Sequence, residues 1–202
     1  MKRTAIFLIT LSFFACGQSL ADDLDTIIAT CNGCHGDDGV SQWGDVPTIA
    51  GIDAFVHSEA LYIYQDEARP CAMSGFRQGD TNRPETSMCE VVVDLSEDDI
   101  EAIAEHYSAL AFVSAKQEFD ASLAAAGETI HARDCGVCHT DGGSNPEDES
   151  SILAGQWMPY LSSSIADYRV GEREQPEKMK DKLVALSDDE VKSLLHFYAS
   201  QQ

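Results

Sequence analysis

Basic residues are scarce in this sequence, which has 13 Lys and Arg against 35 Asp and Glu and a formal net charge of −22 at pH 7. No Lys or Arg occurs from Asp22 to Ala68. So acidic a chain repels the phosphates of nucleic acids and anionic membranes, and neither is expected as a partner. The acidity fits either a solvated surface suited to high salt or a docking face for a basic redox partner such as a basic cytochrome.

Long apolar runs are also missing beyond the N-terminus, so no membrane-spanning helix is expected in the rest of the chain. The first residues include Lys2 and Arg3, an apolar run from Ala5 to Ala15, and small residues up to Ala21. This arrangement is typical of a secretory signal peptide. Residues 1–21 are therefore predicted to direct export to the periplasm and to be removed by cleavage after Ala21.

The sequence has no Gly-x-Gly-x-x-Gly fingerprint for a dinucleotide, but it has two copies of Cys-x-x-Cys-His. They are Cys31-Asn32-Gly33-Cys34-His35 and Cys135-Gly136-Val137-Cys138-His139. This pattern is typical of covalent haem c attachment. Its two cysteines lie on one side of a helical turn, where each forms a thioether with a haem vinyl group, and the next residue is placed to ligate iron. The sequence thus predicts two haem c groups, with His35 and His139 as proximal iron ligands.

Two further cysteines, Cys71 and Cys89, remain beyond residue 21 once the motif cysteines are set aside. The even number and an oxidising compartment favour a disulfide between them. The alternative is a metal site that uses Cys71, Met73 or Cys89, because soft sulfur ligands suit copper(I).

The two motifs belong to an internal duplication. A shift of 104 residues overlays the first motif on the second, and after Arg69 the shift becomes 91. The first copy therefore carries 13 extra residues between Arg69 and Met88. Other aligned pairs are Ala50-Gly51 with Ala154-Gly155, Tyr64 with Tyr168, Arg69 with Arg173, Met88 with Met179, and Tyr107 with Tyr198.

Helical patterning dominates both copies, and only Val91-Val92-Val93 suggests a strand. Ser96 and Ser187 each begin a capping box that predicts a final helix in its copy. We therefore predict an all-α protein of two tandem lobes, residues 22–110 and 119–202, joined by a linker at 111–118. The other predicted helices are Asp22–Cys31, Ala54–Asp66, Asp120–Cys135 and Pro159–Val170.

The sixth iron ligands must come from beyond the middle helix of each lobe. Met88 and Met179 occupy equivalent positions there, and methionine opposite histidine raises the reduction potential of haem. The alternative is that these methionines only fill gaps, with Met73 as the other candidate ligand in the first lobe. Arg69 and Arg173 are candidates to pair with haem propionates or with carboxylates between the lobes, unless they lie on the surface.

These residues resemble the tandem di-haem cytochromes c of the cytochrome c4 type, and within that group the haem subunit of flavocytochrome c sulfide dehydrogenase. The match covers almost the whole chain after residue 21 and is clearest in the second lobe. The resemblance implies two tandem cytochrome c lobes, with Met88 and Met179 as axial ligands. The second-lobe segments that carry it are Ala115-Lys116-Gln117, Ile152-Leu153-Ala154-Gly155-Gln156-Trp157, Pro159-Tyr160-Leu161, Lys178-Met179 and Phe197-Tyr198-Ala199-Ser200-Gln201-Gln202.

In that family the haem subunit binds a flavoprotein that holds FAD and oxidises sulfide, and electrons pass from it through the haems to an external acceptor. The resemblance implies a heterodimer in which this chain is the electron outlet and has no catalytic residues of its own. One alternative is a free-standing di-haem carrier that delivers electrons to a terminal oxidase. Another is that one haem is itself catalytic. The cysteine-bearing insertion departs from the family pattern and leaves the surroundings of the first haem open.

Overall fold

The computed structural model describes residues 19–202, so the predicted signal peptide lies outside the described residues except for its last three positions. This part of the chain is helical and has no strand ladder, only an isolated antiparallel bridge between Ser74 and Thr86. The predicted all-α class is confirmed. The helices are α1 (Ser19–His35), α2 (Ala54–Gln65), α3 (Met88–Val92), α4 (Glu97–Ser108), α5 (Ala121–Asp134), α6 (Met158–Val170), α7 (Glu177–Ala185) and α8 (Asp188–Ser200).

Polar caps define where the longer helices begin. The Asp53 side chain accepts hydrogen bonds from the second and third amides of α2. Both predicted capping boxes are confirmed: Ser96 with Asp99 starts α4, and Ser187 with Glu190 starts α8. These caps satisfy amides that have no partner inside the helix.

Two segments differ from the sequence-based expectation. The strand suggested by Val91-Val92-Val93 is wrong, because Val91 and Val92 lie in α3. A third capping box, Ser87 with Glu90, starts that helix, and Val92 is buried in the core. Helix α7 was not predicted; it contains Met179 and has no side-chain cap at its start.

The duplication is repeated in the backbone hydrogen bonds. In each copy a glycine carbonyl after the haem motif accepts from two successive amides. The residue that follows these two donors in the sequence is also a glycine. Its backbone N–H donates to the carbonyl of a tyrosine in the last helix of that copy. The bonds are Ile49 N and Ala50 N to Gly39 O (2.8 and 3.2 Å), Gly51 N to Tyr107 O (2.8 Å), Leu153 N and Ala154 N to Gly143 O (2.9 and 3.1 Å), and Gly155 N to Tyr198 O (2.8 Å).

Each copy has its own hydrophobic core. Helices α5 and α8 cross so closely in the second copy that a Cβ at Gly127 would collide with the Ser193 carbonyl oxygen. Only glycine fits at this crossing. The first core contains Leu61, Val92, Ile100, Ile103 and Tyr107, and the second contains Ile130, Leu161, Leu183, Leu186, Val191, Leu194, Leu195, Phe197 and Tyr198.

Hydrogen bonds join the two copies directly. The side-chain amide of Gln156 pairs with the backbone of Thr48, and both residues are almost completely buried. Beside this pair, Trp157 Nε1 donates to Ser41 O (3.1 Å), and Tyr160 N donates to Gly44 O (2.9 Å). The loop after the first motif therefore rests on the start of α6. Among residues 19–202, no helix has the length and apolar character needed to cross a membrane.

Candidate haem sites

The first Cys-x-x-Cys-His motif forms the last turns of α1. His35 is buried, and its Nδ1 lies 2.9 Å from the Pro47 carbonyl oxygen. Burial lowers the pKa of His35, and the Pro47 carbonyl acts in the opposite direction. Donation from Nδ1 to a carbonyl fixes the tautomer and orientation of the ring and leaves Nε2 as the metal-binding nitrogen.

The second motif begins directly after α5, which ends at Asp134. The motif folds as a turn, with Cys138 N and His139 N both donating to Cys135 O (3.1 and 3.0 Å). His139 Nδ1 is buried without a partner at hydrogen-bonding geometry. Burial lowers the pKa of His139, although the Ser151 carbonyl lies close enough to oppose this effect. Both imidazoles are therefore held in the neutral form that binds metal.

All four motif cysteines are free thiols. Burial raises the pKa of Cys31 to about 11, against the opposing effect of the nearby Tyr107 hydroxyl. Cys135 and Tyr198 form the equivalent pair in the second copy, and burial also raises the pKa of Cys135. Each motif thus presents two cysteines outside any disulfide and one neutral imidazole, which is the donor set that covalent haem c attachment requires.

The candidate sixth ligands lie beside the cores of their own copies. Met88 is the first residue of α3 and packs against the first core, and Met179 lies in α7 and packs against the second. Met73 is 55% exposed, so the other candidate of the first copy lies on the surface. Met158, the first residue of α6, also packs against the second core.

The remaining described histidines have other partners. His57 Nε2 lies 2.6 Å from Ile49 O, and burial lowers the pKa of His57 to about 4. His131 Nδ1 lies 3.0 Å from the Tyr198 hydroxyl. His196 Nδ1 accepts from Asp120 N (3.0 Å), and His106 stands edge-on to Tyr107.

Cys71 and Cys89 are joined by a disulfide with a Cα–Cα distance of 5.7 Å. It ties the insertion to α3, one residue after Met88. The copper alternative has no support. Within the described part of the chain, no group of three or more His, Cys, Asp or Glu side chains is arranged to hold a metal ion.

Two arginine–tyrosine stacks, related by the duplication, lie near Tyr160. The Arg69 guanidinium lies 4.2 Å from the ring centre of Tyr64, and Arg173 lies 4.3 Å from that of Tyr168. The arginines are only 8% and 9% exposed, so neither is a surface residue. Burial alone would raise the pKa of Tyr160, but Arg173 and Arg69 outweigh it and lower this pKa to about 8.

The charge of this arginine pair is not balanced locally. Neither Arg69 nor Arg173 forms an ion pair within 4.0 Å among residues 19–202, and Arg173 Nε is buried without a hydrogen-bond partner. Buried cations without counter-charges are costly. Guanidinium and phenol donors at this position suit carboxylates, and haem carries two propionates. The donor set of the chain therefore fits haem at both its iron-binding and its carboxylate-binding ends.

Comparison with known proteins establishes the architecture. No protein-family model matches this sequence, and no curated protein matches it. Reduced recombinant cytochrome c4 from Pseudomonas stutzeri is 24% identical, with a TM-score of 0.71 over 90% of this chain and 98% of that chain. Cytochrome c4 from Acidithiobacillus ferrooxidans is 20% identical, with a TM-score of 0.68 over 85% and 99%.

Part of a thiosulfate dehydrogenase (TsdBA) from Marichromatium purpuratum is similar as well. It is 23% identical, with a TM-score of 0.67 over 85% of this chain and 36% of that chain. At these identities the likeness establishes the fold. The chain has the architecture of two tandem cytochrome c domains, as the duplication in its sequence predicts.

Proposed function

We propose that this protein is an exported di-haem c-type cytochrome that transfers electrons. The observation that supports this best is the duplicated Cys-x-x-Cys-His motif. In each copy it combines free cysteines and a shielded, neutral histidine at the end of a helix, on a tandem cytochrome c fold. Bound haem supplies a one-electron redox centre in each lobe. The chain contributes attachment, iron ligation, exclusion of water and compensation of charge.

Each lobe assigns these tasks to equivalent residues. In the first, Cys31 and Cys34 attach the haem, and His35 and Met88 ligate iron. In the second, Cys135 and Cys138 attach it, and His139 and Met179 ligate iron. Arg69, Arg173 and Tyr160 receive carboxylates of the cofactor, which balance the two buried guanidinium charges.

Mass spectrometry of the exported protein tests this proposal. The mass should correspond to a chain that begins at Asp22 and carries two haem groups. A Cys135→Ser, Cys138→Ser variant should lose one haem, while a Cys71→Ser, Cys89→Ser control should keep both. A wild-type mass without two haems contradicts the proposal, and a retained N-terminus contradicts the predicted cleavage and periplasmic location.

For the partner, we propose an FAD-containing flavoprotein that oxidises sulfide and passes electrons to this chain. The second-lobe resemblance to flavocytochrome c haem subunits supports this, and so does the presence of the fold within a sulfur-compound dehydrogenase. The sequence has no dinucleotide fingerprint, which agrees with a flavin held by a separate chain.

A free-standing di-haem carrier is the second candidate. This candidate is favoured by the comparison with the two cytochromes c4, because the match covers 98% and 99% of those chains and leaves no domain of theirs unmatched. Purification of the native protein under mild conditions separates the two candidates. Co-elution with a flavin-bearing chain, at a ratio that stays constant through the peak, supports the heterodimer. A cytochrome that elutes alone supports the free carrier.

A further inference from the structure

The two haem motifs differ in how much of their surface is covered. In the first motif Gly33 is buried and Cys34 is half-buried. At the equivalent positions of the second motif, Val137 is 88% exposed and Cys138 is exposed. The difference arises from residues 70–87, which include the 13 extra residues that have no counterpart in the second lobe. We call this segment the cover.

The cover lies directly on the first motif. Arg77 N and Gln78 N both donate to Gly33 O (2.7 and 3.1 Å). Phe76 is buried, and a Cβ at Gly33 would come within 2.7 Å of its Cδ1. A side chain such as that of Val137 at this position would push the Phe76 ring away, so the glycine of the first motif is what allows the cover to close.

Several contacts hold the cover in place. The Ser74–Thr86 backbone bridge joins its two arms, and the Cys71–Cys89 disulfide ties its first arm to α3. In its middle, Gln78 donates to Asp37 (2.8 Å) in the loop after the first motif. The segment is thus fixed both to α3 and to the haem motif.

The cover also concentrates positive charge at this motif. Residues 22–110 contain three basic residues, Arg69, Arg77 and Arg83, and the last two lie in the cover. The Arg83 guanidinium lies 3.8 Å from the ring centre of Phe76, and Arg77 pairs with Asp45 (2.6 Å). Both arginines act electrostatically on the Cys34 sulfur. An apolar ring and two cations therefore lie beside one haem motif in an otherwise strongly acidic lobe.

We propose that the cover tunes the first haem, raising its reduction potential above the value the same lobe would have without it. The inference rests on the proposed di-haem function. Oxidised haem iron carries one more positive charge than reduced iron, so exclusion of water and nearby guanidinium groups both favour the reduced state. The second lobe has no such insertion over its haem motif, so no cover contributes to the reduction potential of the second haem.

Redox titration of the intact di-haem protein, followed in the visible spectrum, tests the proposal. Phe76→Ala reopens the motif to water, and Arg83→Gln removes one charge. Each should shift one of the two potentials downward and leave the other unchanged, and the double variant should shift it further. Lys192→Gln, which removes an exposed positive charge from α8, is the matched control and should leave the first haem unaffected. The shifted haem is identified as the one that keeps its methionine signature when Met179 is replaced.

Two unchanged potentials in variants that carry two haems and keep the wild-type helix content would overturn the proposal. If the variants fail to fold, the wild-type protein supplies the test. In the reduced state, a neutral dissolved nitroxide should broaden the thioether methyl resonances of the second haem more than those of the first. Equal broadening would also overturn the proposal. A protein without two haems would instead refute the proposed function.

Discussion

Gln156 and Thr48 bind each other across the two lobes through a reciprocal pair of hydrogen bonds. Thr48 N donates to Gln156 Oε1 (3.0 Å), and Gln156 Nε2 donates to Thr48 O (2.8 Å). A side-chain amide thus satisfies both backbone groups of a residue 108 positions away. The lobes are joined at this point without charge, and the pair is largely independent of salt and pH.

Replacement of Gln156 by Leu should lower the free energy of unfolding by about 3 kcal/mol, because two buried backbone groups of Thr48 would lose their partners. Urea denaturation of the haem-loaded protein measures this loss. Gln42→Ala, at an exposed position in the first lobe, should change it by less than about 0.5 kcal/mol. Equal stability of the two variants would mean that Gln156 does not join the lobes.

Gly127→Ala should destabilise the second lobe by about 2–3 kcal/mol, because the new methyl group collides with the backbone of α8 and forces the helices apart. Thermal and urea unfolding measure the effect. Glu128→Ala, at the exposed neighbouring position, is the control and should be nearly neutral. An alanine variant as stable as the wild type would contradict the close crossing of α5 and α8.

Met88→Ala and Met179→Ala should each remove the near-infrared methionine-to-iron band of one haem and lower the potential of that haem. The other haem should keep its band. Met73→Ala, which truncates an exposed methionine of the same lobe as Met88, should leave both bands intact. If Met73→Ala removes a band and Met88→Ala does not, the ligand assignment of the first lobe is wrong.

The double variant Cys71→Ala, Cys89→Ala should lose about 3 kcal/mol of stability, because the disulfide restricts an 18-residue separation in the unfolded chain. In urea denaturation, the wild-type protein treated with reductant should unfold at a midpoint similar to that of the untreated double variant. If reductant has no effect and free-thiol labelling finds both cysteines in the wild type, the disulfide does not form.

Asp134 should contribute to stability in a pH-dependent way. Its carboxylate accepts hydrogen bonds from Arg133 and Lys182, which lower its pKa below the ordinary value of 3.8. A lowered folded-state pKa gives stabilisation that is present above the unfolded-state pKa and lost as pH falls through the folded-state value. Asp134→Asn should therefore cost up to about 1 kcal/mol at pH 6 and progressively less below about pH 4.

Unfolding curves at several pH values measure this difference. Asp188→Asn, which removes the 93% exposed partner of Arg169, is the matched control and should show a smaller effect. An Asp134→Asn penalty that persists unchanged at pH 2 would mean that the carboxylate charge is not its cause.

The sequence contains most of the helical architecture because its signals are local. The capping boxes at Ser96 and Ser187 and the Asp53 cap fix where helices start, and the two register shifts show the duplication. At Val91 and Val92 two local signals conflict. β-Branched residues favour a strand, but the Ser87 capping box and burial of Val92 against the first core produce a helix.

Features that depend on distant contacts could not be predicted. Helix α7 has no polar cap and few apolar residues, so its stability comes from packing of residues such as Leu183 on the second core. The residues near Tyr160 are a similar case. The aligned arginines are recognisable in the sequence, but the approach of Arg69 from the first lobe and Arg173 from the second to the Tyr160 phenol is not. Gly33 is also ambiguous in sequence, since a glycine in the last turns of α1 carries no sign of the aromatic ring that covers it.

The insertion in the first copy has a consequence for how such a molecule can evolve. In an assembly of two identical chains, every added loop appears twice, and both redox centres change together. Fusion of the copies into one polypeptide removes this constraint, so a segment such as residues 70–87 can enclose one centre while its sibling stays open to solvent. A single gene thereby encodes two unequal electron sites.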